Sequence, residues 1–103
     1  MTIRITEGLE LIQEIVRRRW IPEIIAAIAG GNHSYSEILA GIDYLSKTEL
    51  NRKLNFLLER GVIEKQIKPN KTEYKLLPFG EDLEHIFKHF EDIGKKYLNR
   101  PIT

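Results

Sequence analysis

Ser46-Lys47-Thr48-Glu49-Leu50-Asn51-Arg52-Lys53-Leu54-Asn55-Phe56-Leu57-Leu58-Glu59-Arg60-Gly61-Val62-Ile63-Glu64-Lys65-Gln66-Ile67-Lys68-Pro69-Asn70-Lys71-Thr72-Glu73-Tyr74-Lys75-Leu76 reads as a helix joined through a glycine to a β-hairpin. Ser46 and Glu49 stand at the spacing of a capping box, in which a hydroxyl and a carboxylate satisfy free helix amides reciprocally. From that start Leu50, Leu54, Leu57 and Leu58 recur at i, i+4, i+7 and i+8 and form one apolar stripe. Thr48, Arg52, Asn55 and Glu59 fall opposite the stripe at about 100° per residue, so one face is core and the other is free. Gly61 ends the helix. Val62 to Ile67 carries the β-branched residues of a strand, Lys68-Pro69-Asn70-Lys71 is turn-forming, and Thr72 to Leu76 alternates polar with apolar as a return strand. The hairpin tip is basic.

Upstream, Leu9, Ile12, Ile15 and Val16 share one helical face over about residues 7–18, with Thr6 as the expected N-cap. Arg17 to Arg19 and Trp20 follow, and Pro22 suits the first turn of a second helix carrying Ile24, Ile25, Ala27 and Ile28, closed by Gly30 and Gly31. A short helix from Tyr35 to Ala40 turns Ile38 and Leu39 inward, with Gly41 as its expected left-handed cap. Beyond the hairpin a last helix begins near Pro78 and covers about 79–98, with Leu83, Ile86, Phe87, Phe90, Ile93 and Tyr97 on a broad apolar face. This order predicts a mainly α (α+β) fold, a winged helix-turn-helix with a two-stranded wing, in a single domain spanning 1–103. The wide apolar faces of the first and last helices exceed what one such core needs. Both are therefore expected as flanking dimerisation helices, with Leu9, Ile12, Ile86, Phe90, Ile93 and Tyr97 at a homodimer interface.

Composition sets the outer bounds. A chain of 103 residues buries about two-thirds of its unfolded surface, enough for one core and too little for a multidomain enzyme. With 42% hydrophobic and 30% charged residues it is ordinary globular protein, and its longest apolar run, Ile24 to Ala29, is too short to span a bilayer. The absence of cysteine excludes disulfide frameworks, thiolate catalysis and cysteine-based zinc sites. Met1 to Thr6 holds one basic residue and no apolar signal core follows, so a cytoplasmic location is expected. The net charge of +1 hides an uneven distribution: between Tyr44 and Leu76 eight basic residues face four acidic ones. A basic middle in a nearly neutral chain points to a polyanionic partner.

Duplex DNA is the polyanion whose chemistry these residues suit. A major groove admits one helix, which must present short polar side chains from its N-terminal part and be held by phosphate contacts around it. Lys47, Thr48, Asn51, Arg52 and Asn55 form the expected groove-facing row, with Arg52 suited to guanine and Asn51 or Asn55 to adenine. Lys68, Asn70 and Lys71 at the wing tip suit phosphate or the minor groove, or equally a solvated turn, and Ser34 and Ser36 suit phosphate at the start of the short helix or equally serve as ordinary caps. Trp20 reads as a core anchor with an arginine stem of the Arg17–Arg19 run along it. His85 and His89 lie at i, i+4 with Glu81 one turn before them, but on the face opposite the apolar one and with no fourth ligand, so no metal is expected. No nucleophile–base arrangement and no phosphate-cradling glycine loop appears, so neither an enzyme nor a cofactor is expected.

Several segments together resemble the HxlR-type winged helix-turn-helix transcriptional regulators of bacteria and archaea. Arg19-Trp20 before Glu23-Ile24-Ile25 resembles that family's Lys-Trp entry into the second helix, and Ser34-Tyr35-Ser36-Glu37-Ile38 resembles its Arg-Phe-Ser-Glu-Leu segment. Leu54 through Leu57 to Gly61-Val62-Ile63 is similar to the end of its recognition helix, and Glu73-Tyr74 with Leu76 and Gly80 matches its Glu-Tyr-Ser-Leu-Thr-x-x-Gly signature. The resemblance covers nearly the whole chain and implies a homodimer that binds operator DNA, joined through its first and last helices. Three positions depart from the family. The cysteine many members carry near the N-terminus is missing, Ser34 replaces a usual arginine, and Phe56 stands on what should be a polar flank of the recognition helix. The last two, with the small net charge, motivate a competing expectation: a winged-helix protein-interaction module without DNA affinity, anchored by an exposed Phe56. A third is an unknown small-molecule effector in an aromatic pocket where Trp20, Tyr35 and Phe90 converge.

Overall fold

The computed structural model describes residues 4–98, so both ends of the 1–103 span lie outside the described residues. The elements run α1 (Arg4–Val16), α2 (Ile21–Ala29), α3 (Tyr35–Gly41), α4 (Lys47–Glu59), β1 (Ile63–Ile67), β2 (Thr72–Leu76) and α5 (Pro78–Tyr97). This is the order the sequence predicts, and β2 has the predicted bounds. Helix α2 is the hub. Its Ile21, Ile24, Ile25 and Ile28 belong to one core cluster with residues from every other helix: Ile15 of α1, Ile38 of α3, Leu50, Leu54 and Leu57 of α4, and Leu83 of α5. Val62, Ile63 and Tyr74 close the core from the hairpin. No polar or charged residue is buried among the described residues, so apolar shape and the helix caps specify the packing.

Three local expectations are corrected. Helix α1 already includes Arg4, because nothing in Arg4-Ile5-Thr6-Glu7 breaks a helix; Thr6 sits inside it rather than capping it. At its other end α1 stops at Val16, short of residue 18, since Arg17 to Trp20 form a turn in which the Ile21 amide donates to the Arg18 carbonyl. Gly41 is the last residue of α3 and not a left-handed cap. Ile42 leaves that helix extended and enters the core, and the left-handed residue of the turn is Tyr44, with φ 69°.

The hairpin is antiparallel, pairing Ile63 with Leu76 and Ile67 with Thr72 at its ends. Its outer edge is not bare. The Tyr74 amide donates to the His33 carbonyl at 2.7 Å and Ser34 bridges to Glu73, so the segment entering α3 lies along β2. At the hairpin base the Leu77 amide donates to the Val62 carbonyl at 3.0 Å, and α5 begins there with Pro78 in its first turn. The radius of gyration, 15.0 Å, exceeds the roughly 13 Å of a compact chain this long, because α1 and α5 project beyond the core with apolar side chains exposed.

Candidate nucleic-acid interface

The row on α4 starts from a capped end. Ser46 Oγ accepts the Glu49 amide at 3.1 Å, but the Glu49 carboxylate turns to Arg52 and Lys53, each at 3.4 Å, so the predicted box forms only by half. The complete reciprocal box belongs to Ser34 and Glu37, which have the same Ser-x-x-Glu spacing. Glu37 has only Ile38 to Gly41 on the following turn and no cation there to draw it away. Its carboxylate accepts the amides of Ser34 and His33 at 3.1 Å, while Ser34 Oγ accepts the Glu37 amide. Those bonds, the Ser34 amide first, hold the Glu37 carboxyl below its ordinary range.

Lys47, Thr48, Asn51, Arg52 and Asn55 are all exposed along α4, opposite the buried Leu50, Leu54 and Leu57. Tyr35 ties α3 to the start of this helix by donating its hydroxyl to the Lys47 carbonyl at 3.3 Å. Ser36 is exposed and Ser34 half-buried, their hydroxyls 3.4 Å apart. At the wing tip the Lys68 and Lys71 backbones bond each other across the turn, and Asn70 is exposed. Glu73 holds both lysines, Lys68 Nζ at 2.7 Å and Lys71 Nζ at 3.2 Å. Hydrogen bonding from Lys68 and then Lys71 brings its carboxyl down to about 2. Sequence reasoning missed this clamp, although the positions of Lys68 and Lys71 across a tight turn from the return-strand Glu73 are its signal.

Phe56 is not an exposed anchor. It is half-buried against the core, its ring covered by the guanidinium of Arg18 at 4.2 Å and that of Arg60 at 4.9 Å. Arg60 also pairs with Glu14, which ties the end of α4 to α1 and lowers the Glu14 carboxyl. The Arg19 guanidinium lies over the Trp20 ring at 4.7 Å, so an arginine of the run does meet Trp20, through its charged head rather than the expected stem. The aromatic pocket does not form: Trp20 lines a depression with Ala26 and Ile42, Phe90 another with Val16, Pro22 and Phe87, and Tyr35 lines neither. Glu81, His85 and His89 are exposed, and no three metal-ligating side chains come together among the described residues.

Of the residues expected at a dimer interface, Ile12 and Ile86 are half-buried on the protomer's own core. Leu9 and Ile93 are exposed, as are Phe90 at 57% and Tyr97 at 69%. No helix among the described residues is long and apolar enough to cross a membrane.

A capped helix with an exposed polar face, followed by a two-stranded wing, is the architecture of a winged helix-turn-helix. The profile of the HxlR-like helix-turn-helix family matches residues 15–101, and the chain belongs to that family. It is 27% identical over 95 residues to an uncharacterised HTH-type transcriptional regulator of Bacillus subtilis, YdeP, a match covering 89% of this chain and 74% of that one. Among solved structures it is similar to a putative MarR-family transcriptional regulator from Porphyromonas gingivalis W83, with TM-score 0.76, 27% identity and coverage of 86% and 90%. It shares its fold with the reduced form of the regulator YodB from B. subtilis, with TM-score 0.80, 22% identity and coverage of 92% and 96%. The family and these neighbours are transcriptional regulators rather than enzymes.

Proposed function

We propose that this chain is a cytoplasmic, homodimeric regulator that binds double-stranded DNA with α4 in the major groove, 1–103 forming one winged domain with α1 and α5 as its dimer-forming flanks. The observation that carries the reading is the unbroken exposed row Lys47, Thr48, Asn51, Arg52 and Asn55 on a helix whose other face is core. Arg52 pairs guanine and Asn51 or Asn55 pairs adenine, while Ser34, Ser36, Lys68, Asn70 and Lys71 set register on phosphates. Leu9, Phe90, Ile93 and Tyr97 meet their copies across the dimer, with Ile12 and Ile86 beneath them, and the two α4 helices enter successive grooves about one helical turn apart. The packing of Phe56 removes the anchor that favoured a protein-interaction module. One neighbour is described as reduced, but these 103 residues hold no cysteine, so any effector acts by chemistry other than a thiol's.

The test is fluorescence anisotropy of the protein with random-sequence duplex at two salt concentrations. Binding whose log affinity falls linearly with log salt, at about −0.9 per phosphate contact, supports the reading. Salt-insensitive binding, or none at low salt, refutes it.

A further inference from the structure

Most large hydrophobic side chains left exposed among the described residues lie on α1 and at the end of α5, the two helices proposed to form the dimer; Tyr44 and Ile67 do not. Ile67 is a β-branched residue in ordinary strand backbone, so its exposure involves no strain. Tyr44 differs. It is 95% exposed and holds φ at 69°, a left-handed conformation that glycine, asparagine or aspartate adopts at far less cost than a tyrosine. The other non-glycine residue with positive φ, Trp20 at 75°, is half-buried against the core with Arg19 stacked on its ring, so packing offsets its backbone. Among the described residues the Tyr44 hydroxyl makes no hydrogen bond and its ring has no cationic partner. A strained backbone that carries an aromatic ring into solvent is a feature of a surface that meets something else.

Its position says what that is. Tyr44 precedes the N-cap Ser46 by two residues and Lys47 by three, which keeps it within about 11 Å of the start of the exposed row on α4. We propose that Tyr44 contacts DNA at the edge of the groove α4 enters, its ring against a deoxyribose and its hydroxyl donating to a phosphate oxygen of the flanking strand. This rests on α4 being the groove helix and extends the footprint one step beyond it. The contact is sequence-independent, so it adds affinity and register rather than base choice.

The test pairs thermal unfolding with anisotropy on a random-sequence duplex for the wild type, Tyr44→Gly, Tyr44→Asn and Tyr44→Phe. Tyr44→Gly and Tyr44→Asn are expected to raise Tm by about 4 °C, because strain is relieved and no internal contact is lost, and to weaken binding about tenfold. Tyr44→Phe keeps the wild-type Tm and loses about threefold, the share of the hydroxyl. A raised Tm with unchanged affinity overturns the contact and leaves the reading of α4 intact. A lowered Tm for both Tyr44→Gly and Tyr44→Asn also overturns it, since the ring then packs within the protomer. A wild type that binds no duplex overturns this inference and the reading of α4 together.

Discussion

Gly80→Ala adds one methyl group at the joint between α5 and the hairpin, where an added Cβ meets the Val62 carbonyl oxygen at 2.3 Å and Leu76 Cδ2 at 3.1 Å. Ordinary contact begins near 3.4 Å, so the carbonyl or the start of α5 must move by about 1 Å. The carbonyl is not free to move, since it accepts the Leu77 amide at 3.0 Å. Overpacking of this kind costs about 1–3 kcal/mol, and losing that hydrogen bond adds about 1 kcal/mol, for roughly 2–4 kcal/mol together. In a domain of this size each kcal/mol lowers Tm by about 4–8 °C, so a fall of roughly 10–30 °C is expected. The assay is thermal unfolding followed by far-ultraviolet circular dichroism at one fixed protein concentration, because the proposed dimer would make Tm concentration-dependent. Gly41→Ala is the control: its Cβ meets only Asn32 Nδ2 at 3.8 Å, and the change should fall within about 0.5 kcal/mol. A Tm for Gly80→Ala within about 3 °C of wild type refutes the reasoning.

Three further outcomes are expected. Glu73 has a carboxyl held at about 2 against an ordinary 4.5, so its clamp contributes fully above about pH 4.5 and is lost as pH falls through about 2. The stability difference between wild type and Glu73→Gln, followed by urea unfolding across that window, should shrink to nothing at the acid end; a constant difference would place its source elsewhere. Arg52→Ala should relax base preference in a binding-site selection, whereas Lys71→Ala should weaken all duplexes alike and flatten the salt slope by about one, and the reverse pattern would exchange their roles. Phe90→Glu should leave a monomer in sedimentation at micromolar concentration, and a wild type already monomeric there would remove the dimer.

What was legible in the sequence is what short-range periodicity encodes. The leucine stripe of α4 and its exposed opposite face follow from 3.6 residues per turn, and the wing from alternation on either side of Lys68-Pro69-Asn70-Lys71. What stayed hidden depends on which side chains pair, near or far in the chain, a choice that periodicity does not encode. Phe56 looks exposed on a helical wheel but packs on the core beneath two guanidiniums, that of Arg60 at the end of its own helix and that of Arg18, at the far side of α2 in the chain. Two Ser-x-x-Glu starts look alike until Arg52 and Lys53 draw Glu49 off its cap. The left-handed residue of the α3–α4 turn is Tyr44 and not Gly41, with Ile42 between them entering the core. The site row was legible in composition and phase, and the spacing of Lys68, Lys71 and Glu73 around the turn carried a signal of the wing clamp that sequence reasoning missed.

The two faces of α4 also govern how this chain can change over generations. Leu50, Leu54 and Leu57 are sealed in the core, so substitution there endangers the fold. Thr48, Asn51 and Asn55 touch nothing that holds the molecule together, and exposed positions of that kind usually shift stability by no more than about 0.5 kcal/mol. Mutations can accumulate on that face almost without thermodynamic penalty, and on the proposed reading of α4 recognition can drift or be redesigned there while the scaffold is inherited unchanged. Arg52 is the residue of the row whose side chain is tethered, through Glu49, so on the proposed reading a change there alters recognition and a contact of the helix that carries it together.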